Sequence, residues 1–552
     1  MHISSVHKGI NKTVSFNEIE EINYNEEQSE DTKKESTDTS KVKIRFKEVM
    51  AERKLNERWL NMKDEEAFYS EIKETPENSL KVNEAKEKEL KNFDDYEAFE
   101  EVEYVGQTVL GTRFVLTEKP DSSIKARFVT KGFQECFSEQ SDSPTSSRES
   151  IKVFLAIAAN EKWVVESSDV RSAFLQSEKI DRAVFVEPPP QRQKQGMVWR
   201  LRKPCYGLDD ASRKWFFSFR KTMQELGMTQ SKRESCLFYY HKDNKLHGEL
   251  LVHVDDILSA GSDEFKDIVT KLREKYNFGR VEQGNFVYTG LNIEQDENMD
   301  ILVHQNNFVE KLATVEATNA GNPDRVLDKD DNRLLRKAQG QLSWLATQTR
   351  PDISFDSFQM STVLNRATPT DIKVCNKIIK KAKQQNVVLR FSRLGNIEDL
   401  HIEMYADASL GNIEEGIHTK SAMGYYISLA NRNLDSSPLH WKSCIIDKVA
   451  EDIKTAETLA FEKALDDAIH LSNLLTEIYT GESTKNSIPI IAKTDSKSLL
   501  ESIYSTKKVK RKTMRVVISS IQQHLQNKIL TNVEHVIYFL LCSEIICSAL
   551  AS

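Results

Sequence analysis

Two aspartates interrupt an apolar, strand-forming run at Leu250-Leu251-Val252-His253-Val254-Asp255-Asp256-Ile257-Leu258. A third, Asp169, ends a similar run, Trp163-Val164-Val165-Glu166-Ser167-Ser168-Asp169-Val170. Carboxylates on strand ends can hold two divalent cations about 3.5–4 Å apart, which clamp the attacking and leaving oxygens of an in-line displacement. Mg²⁺ suits that work, because it is hard and octahedral and is bound through one or two carboxylates plus substrate phosphates. An Asp-Asp pair taken alone reads equally well as a solvated hairpin tip. Its setting adds weight to the chemical reading. Ile257-Leu258-Ser259-Ala260-Gly261 continues the strand, so the acids fall at the tip of a β-hairpin. Desolvating two like charges side by side is costly unless a cation joins them.

Acids at a hairpin tip need a sheet beneath them and helices to cover it. Glu149 to Trp163 reads as a helix that starts after a Ser-Pro-Thr-Ser-Ser loop. Ala211 to Leu226 and Asp263 to Tyr276 read as two more helices, and Phe286 to Ile293 as a strand. Residues 305–345 read as helices, and Thr368 to Gln385 as a further helix leading to a last domain. Residues 1–45 are polar, acidic and poor in aromatics, a composition expected to stay disordered. Residues 46–99 read as a helical leader whose charge run forms a solvated face.

At 552 residues the chain is long enough for two or three domains, and 39% hydrophobic residues suffice for packed cores. The net charge of −8 resides in the first hundred residues, which carry 17 Lys+Arg against 25 Asp+Glu. The remaining 60 and 60 cancel, so a nucleic-acid groove must come from uneven placement of charge. That balance argues against a bare nucleic-acid-binding module but not against an enzyme that handles polynucleotides. The seven cysteines form no Cys-x-x-Cys pattern and no histidine cluster accompanies them, so no zinc site is legible. Scattered free thiols suit a reducing compartment. The apolar run Val536-Ile537-Tyr538-Phe539-Leu540-Leu541-Cys542 is too short to span a bilayer.

Further segments make a set with the acids. Lys125-Ala126-Arg127-Phe128-Val129-Thr130-Lys131-Gly132-Phe133 comes first, then Ser168-Asp169-Val170-Arg171-Ser172-Ala173-Phe174-Leu175. Lys203-Pro204-Cys205-Tyr206-Gly207-Leu208-Asp209-Asp210-Ala211-Ser212-Arg213-Lys214-Trp215 follows, then the Asp-Asp hairpin, then Thr349-Arg350-Pro351-Asp352-Ile353. In this order they resemble the reverse transcriptase and ribonuclease H portion of copia-like long-terminal-repeat retrotransposon polyproteins, over about Gly111 to Val536. The resemblance implies an α/β (α+β) fold. A right-hand polymerase with fingers, palm and thumb would occupy residues 100–345, connection helices 346–398, a ribonuclease H-like mixed-sheet domain 399–536, and a divergent apolar tail 537–552.

It also implies an RNA-directed DNA polymerase using two-metal nucleotidyl transfer with Mg²⁺, or Mn²⁺. Asp169, Asp255 and Asp256 match the metal-binding carboxylates of the family. Phe174 matches the aromatic that closes off the sugar 2′ position, and Lys125 and Arg127 match the cations that hold the incoming triphosphate. From residue type alone Phe174 is equally a core ring, and the two cations a solvated strand face. The implied partners are an RNA template, a DNA primer, the RNA–DNA hybrid and deoxynucleoside triphosphates, with no membrane. The implied location is intracellular, in cytoplasmic particles and then the nucleus.

Two departures from the family pattern stand out. The tyrosine before Val-Asp-Asp is His253 here, and Lys-Gln-Ala-Pro-Arg is replaced by Asp209-Asp210-Ala211-Ser212-Arg213. Asp209 and Asp210 open a helix, where exposed N–H groups favour acids, so they read as structural.

A second acidic set lies in the last domain. His401-Ile402-Glu403-Met404-Tyr405-Ala406-Asp407 is a strand ending in an acid, Glu457 sits in a helix, and Ile490-Ile491-Ala492-Lys493-Thr494-Asp495 is again a strand ending in an acid. The resemblance makes Asp407, Glu457 and Asp495 ligands of Mg²⁺ ions that activate water against an RNA phosphate. The family carries a fourth carboxylate after the last strand. Here the strand at Ile529 to Val536 leads into an apolar tail that matches nothing in the pattern, where Glu544 could stand in only by chance. A weak or inactive ribonuclease H is therefore expected. A rival reading is a degenerate or co-opted element that binds nucleic acid without catalysis.

Overall fold

The structure, a computed structural model, describes residues 72–119, 122–135, 142–317, 325–415, 418–481, 488–507, 509 and 511–536. The expected disordered segment, residues 46–71 of the expected helical leader and the apolar tail with Glu544 lie outside the described residues, while the rest of the leader holds the helix Ser79–Asp95. The described residues belong to one compact unit, Asp64–Ser552.

The first layer is a hairpin of β1 (Thr112–Glu118) and β2 (Ile124–Thr130), with Val115 opposite Arg127 and Thr117 opposite Lys125. Next comes α1 (Arg148–Asn160), capped by the Ser147 hydroxyl, which accepts from Ser150 N at 3.1 Å. Such a cap satisfies one of the open N–H groups of the first turn. From Ser150 to Asn160 every residue of α1 is buried. Eight of those eleven residues are apolar, as a helix buried on all sides favours, while Ser150, Lys152 and Asn160 are buried polar exceptions.

A six-stranded antiparallel sheet carries the first acids. Its members are β3 (Val165–Val170), β4 (Leu237–Lys242), β5 (Lys245–His253), β6 (Asp256–Gly261) and β7 (Phe278–Gln283), with Thr229–Gln230 at one edge. They are ordered β7-β3-β6-β5-β4-edge. Two helices complete this region, α2 (Ala211–Glu225) and α3 (Asp263–Lys275).

The single strand expected over Phe286 to Ile293 is two strands, β8 (Asn285–Tyr288) and β9 (Leu291–Gln295). Thr289 and Gly290 between them both have positive φ, 47° and 79°. Positive φ at both central residues is the condition of a tight type I′ turn. Thr-Gly is a weaker hairpin signal than Asn-Gly, so the apolar pattern ran straight through it. The sheet is completed by β10 (Ile301–His304) and β11 (Leu389–Phe391).

Between those last two strands the chain forms Asn306–Lys311, α4 (Lys329–Gln348), α5 (Ser354–Val363) and α6 (Pro369–Gln384). Thr368 and Asp371 make a reciprocal capping box on α6, with Pro369 at its first position. The Thr349-Arg350-Pro351-Asp352-Ile353 motif ties these helices together. Arg350 donates to Asp352 at 2.7 and 2.8 Å and to the Ala382 carbonyl at 2.7 Å, all buried.

The C-terminal sheet is β12 (His401–Glu415), β13 (His418–Ala430), β14 (Ser436–Ile445), β15 (Ile490–Thr494) and β16 (Leu530–His535), in the order β14-β13-β12-β15-β16. Strands β12, β13 and β14 form an antiparallel meander, while β15 and β16 add in parallel. The long helix α7 (Ile453–Thr480) crosses this sheet, its start capped by Asp452 through Thr455 N at 2.8 Å.

One apolar cluster runs from Ile151 of α1 through β5 and β6 to Phe461 of α7 and Val533 of β16, so both acid-bearing sheets share a core. Polar contacts cross the same junction. The buried Glu477 of α7 accepts from Lys232 N at 2.7 Å, and Trp441 Nε1 of β14 ties the C-terminal sheet to α4 by donating to the Ala346 carbonyl at 2.8 Å. The fold is a mixed helix-and-sheet construction, the class the resemblance implied.

Candidate functional site

Strand register brings two of the first three acids together. Asp256 of β6 lies directly opposite Asp169 of β3. Residues opposite one another in an antiparallel pair project to one face with Cβ atoms about 4.5–5.5 Å apart. Asp256 is also opposite His253 across the hairpin, whose turn residues are Val254 and Asp255. All three aspartates are partly exposed, on the rim of the sheet rather than in its core.

The turn holding Asp255 is strained. Val254 has φ +59°, an uncommon conformation for a β-branched residue that costs on the order of 1–3 kcal/mol. Packing beneath the turn holds it. Trp215 of α2 is buried and donates its indole N–H to the Val254 carbonyl at 2.5 Å. Val170 N donates to the Asp255 carbonyl at 2.9 Å, which ties the turn to the end of β3. His253, at the family's tyrosine position, pairs its Nδ1 with Ser146 Oγ at 2.9 Å.

The candidate substrate residues converge through a residue that the sequence reading did not single out. Arg127 of β2 lies over the ring of Tyr206 at 5.5 Å, and Phe174 meets the same ring edge-on at 4.9 Å. Tyr206 is held by close backbone approach. Thr130 N donates to the Tyr206 carbonyl at 2.8 Å. Gly207, at φ +94°, leaves so little room that an added Cβ would fall 1.9 Å from the Thr130 carbonyl oxygen. Arg127 is buried, whereas Lys125 on the same strand is exposed.

The second set closes more tightly. Carboxylate oxygens of Asp407 on β12, Glu457 on α7 and Asp495 just past β15 lie within 4.8 Å of one another. Among the described residues Asp169, Asp255 and Asp256 form no such cluster. Burial, then the charge of Asp495, pushes the Asp407 carboxyl up to about 7. Burial, then the charges of Asp407 and Asp495, pushes Glu457 up to about 8. Among the described residues, none donates a hydrogen bond to the buried oxygens Glu457 Oε2 and Asp495 Oδ1. Three hard oxygen donors, mutually repelling and with unused lone pairs, are a donor set that fits a divalent cation such as Mg²⁺ or Mn²⁺. His535 of β16 stands beside them, its Nε2 donating to the Asp495 carbonyl at 3.2 Å.

Asp210 behaves as a structural residue, though not by capping. It stands at the N-cap of α2 with no side-chain cap bond. Its buried carboxylate instead receives Arg182 at 2.5 and 2.9 Å, and Arg182 also reaches Glu135 at 2.8 Å. A cavity of about 660 Å³ lined by Glu149, His440, Trp441, Lys463 and Asp467, among others, contains none of the candidate acids.

Comparison with known proteins bears on these centres. Residues 96–324 match the family described as reverse transcriptase (RNA-dependent DNA polymerase). That segment contains Asp169, Asp255 and Asp256 together with Lys125, Arg127 and Phe174. Residues 96–324 are a reverse transcriptase domain. Among curated proteins, the retrovirus-related Pol polyprotein from transposon RE1 of Arabidopsis thaliana is 26% identical over 397 residues, covering 67% of this chain and 26% of that protein. The transposon Ty5-1 protein of Saccharomyces cerevisiae is 26% identical over 297 residues, covering 50% of this chain and 91% of that protein. These relatives are a retrotransposon Pol polyprotein and a transposon protein, and their likeness supports a copia-like Pol polyprotein. The chain spans about a quarter of the length of the first curated relatives it matches. Among solved structures, a foamy viral protease-reverse transcriptase in complex with double-stranded DNA superimposes with TM-score 0.49 at 13% identity, covering 83% of this chain and 71% of that one.

Several supports of the two acidic centres escaped the sequence reading. Tyr206 lay inside a quoted motif, but nothing in its spacing announces two neighbours from distant strands. Trp215 could have been suspected from its place on the inner face of α2. His535 carried no readable signal, because its partner is a main-chain carbonyl forty residues away in sequence.

Proposed function

We propose that the chain is an RNA-directed DNA polymerase in which Asp169, Asp255 and Asp256 hold two Mg²⁺ ions, with Mn²⁺ as a substitute. The observation that carries this is the pairing of Asp169 with Asp256 across adjacent strands, beside a strained turn that presents Asp255. Strain of this kind persists where surrounding structure over-determines it, and it concentrates at functional sites. When bound, the metals stabilise the charge that develops as the primer 3′-hydroxyl displaces pyrophosphate from a deoxynucleotide.

The chain's own residues have separate tasks. Arg127 and Lys125 of β2 attract the triphosphate, Arg by its planar fork and Lys as a point charge. Phe174, supported by Tyr206, limits the room at the sugar 2′ position. Primer–template binding is driven by phosphate contacts, is salt-dependent and is mostly blind to sequence. Asp407, Glu457 and Asp495 form a second metal site acting on RNA–DNA hybrid, with weak cleavage expected.

The deciding experiment is primer extension on poly(rA) with an oligo(dT) primer and Mg²⁺, run beside Asp255→Asn. Extension that the variant loses supports the polymerase. Folded protein that binds the hybrid but extends nothing makes this a binding remnant instead.

A further inference from the structure

Asp169 has Asp256 on one side and β7 on the other, and β7 is irregular at that point. Phe278 pairs with Val170 and Val281 with Ser168, so Gly279 and Arg280 together face Asp169 alone. Two residues opposite one is a β-bulge, a device that ends regular pairing and re-aims a group. Here it releases a main-chain donor. Arg280 N donates to Asp169 Oδ1 at 2.6 Å. The Arg280 side chain is engaged elsewhere, with Glu282 at 3.0 Å and the Val287 carbonyl at 3.4 Å, so the contact belongs to the backbone.

Gly279 makes the approach sterically feasible. A Cβ there would lie 2.7 Å from Asp169 Oδ1, 2.8 Å from Oδ2 and 3.0 Å from Cγ. Gly279 is absent from the glycines with positive φ. Its value is therefore space and not conformational freedom. The carboxylate rests flat over a bare Cα while the next N–H holds one of its oxygens.

We propose that the Gly279–Arg280 bulge positions Asp169, fixing its carboxylate for divalent-metal binding against repulsion from Asp256. This inference rests on the polymerase reading above. Gly279 is a positioning residue, since it touches no substrate and acts through Asp169. Supports of this kind change metal affinity or activity by about tenfold to a hundredfold when removed.

The test compares wild type, Gly279→Ala, Arg280→Ala and Asp169→Asn as the full chain. It measures Mn²⁺ binding by electron paramagnetic resonance, primer extension and thermal melting. Gly279→Ala should weaken Mn²⁺ binding and slow Mg²⁺-driven extension by about tenfold or more. Its affinity for primer–template should stay unchanged, and part of the rate should return with Mn²⁺, which demands less ideal geometry than Mg²⁺. Arg280→Ala keeps the N–H and should match wild type.

If Gly279→Ala also lowers the melting temperature, the cause should be the Asp169 carboxylate itself. The double variant Asp169→Ala/Gly279→Ala should then melt no lower than Asp169→Ala alone. Gly279→Ala matching wild type in Mn²⁺ binding and rate, while Asp169→Asn is inactive, overturns the inference and leaves the polymerase standing. A double variant that melts lower than Asp169→Ala also overturns it. Wild type that neither extends primers nor loses Mn²⁺ binding on Asp169→Asn removes the polymerase reading, and the inference with it.

Discussion

The two acidic centres are built on opposite principles. Around Asp169 and Asp256 the carboxylates sit on neighbouring strands, partly exposed, and backbone groups hold the frame. Around Asp407, Glu457 and Asp495 the acids come from the middle of β12, from the helix α7 and from just past the end of β15. They close within 4.8 Å, where burial and mutual charge raise two of them toward neutrality. The first centre is organised by hydrogen-bond register before any cation arrives. The second holds acids whose repulsion a cation would relieve, so, if it binds metal as proposed, its order and its stability should both depend on metal. Proximity of acids is therefore a poor guide to which centre is better prepared.

The sharpest way to break this comparison is to cross the two centres. If Asp255 acts in catalysis as proposed, Asp255→Asn should abolish primer extension, by roughly a thousandfold or more. Asp495→Asn should leave extension within about twofold, since it removes no group that the polymerase centre uses. Any hybrid-cleaving activity should show the reverse pattern. Primer extension and cleavage of a labelled RNA–DNA duplex, measured on both variants, decide the matter. Loss of both activities in either variant would mean that the shared core couples the centres and that they are not independent.

A smaller effect tests the stored repulsion. Asp407 and Glu457 are raised to about 7 and about 8 in the folded chain, while unfolded carboxyls titrate near 4. Between about pH 4 and pH 8 the folded state therefore binds more protons than the unfolded state. Stability from these groups falls as pH rises through that window and levels off above it. The metal-free protein should melt lower at pH 8 than at pH 6, and Mg²⁺ should raise the melting temperature more at pH 8, where protons no longer compete. Glu457→Gln should raise metal-free melting at pH 8 by roughly 2 °C, and should blunt the Mg²⁺ response. Melting curves at both pH values that are indifferent to Mg²⁺ would show that the triad is no metal site.

Much of this contrast was legible in the sequence, for a physical reason. A strand that ends in an acid leaves a period-two pattern cut short by charge, and the segments around Asp169, Asp255 and Asp495 carry it, whereas the strand expected to end at Asp407 runs on to Glu415. Long helices such as α1 and α6 announced themselves through caps at Ser147 and Thr368. What escaped was everything carried by the backbone or by long-range contact. The Gly279–Arg280 bulge depends on a register offset, which leaves no mark in residue types. Tyr206 acquires its neighbours only when β2 crosses the Tyr206–Gly207 segment. The split of one expected strand into β8 and β9 turned on Thr289 taking positive φ, which β-branched residues rarely announce.

The smallest expected effect concerns His253. It stands on the same face as Asp256, directly across the hairpin, with its ring engaged by Ser146 at 2.9 Å. The family pattern places a tyrosine here, so His253→Tyr exchanges one ring for another without touching an acid. If the first centre is ordered by its backbone frame, the three carboxylates should not notice the exchange. Extension at saturating primer–template should then change by less than about threefold, since the variant removes no interaction confined to the transition state. The KM for primer–template can move further, because the ring borders the face on which a primer end would lie. A large fall in kcat would instead mean that the His253–Ser146 contact helps hold the turn, so that the frame extends beyond the backbone. The split between kcat and KM, measured on poly(rA) and oligo(dT), separates the two.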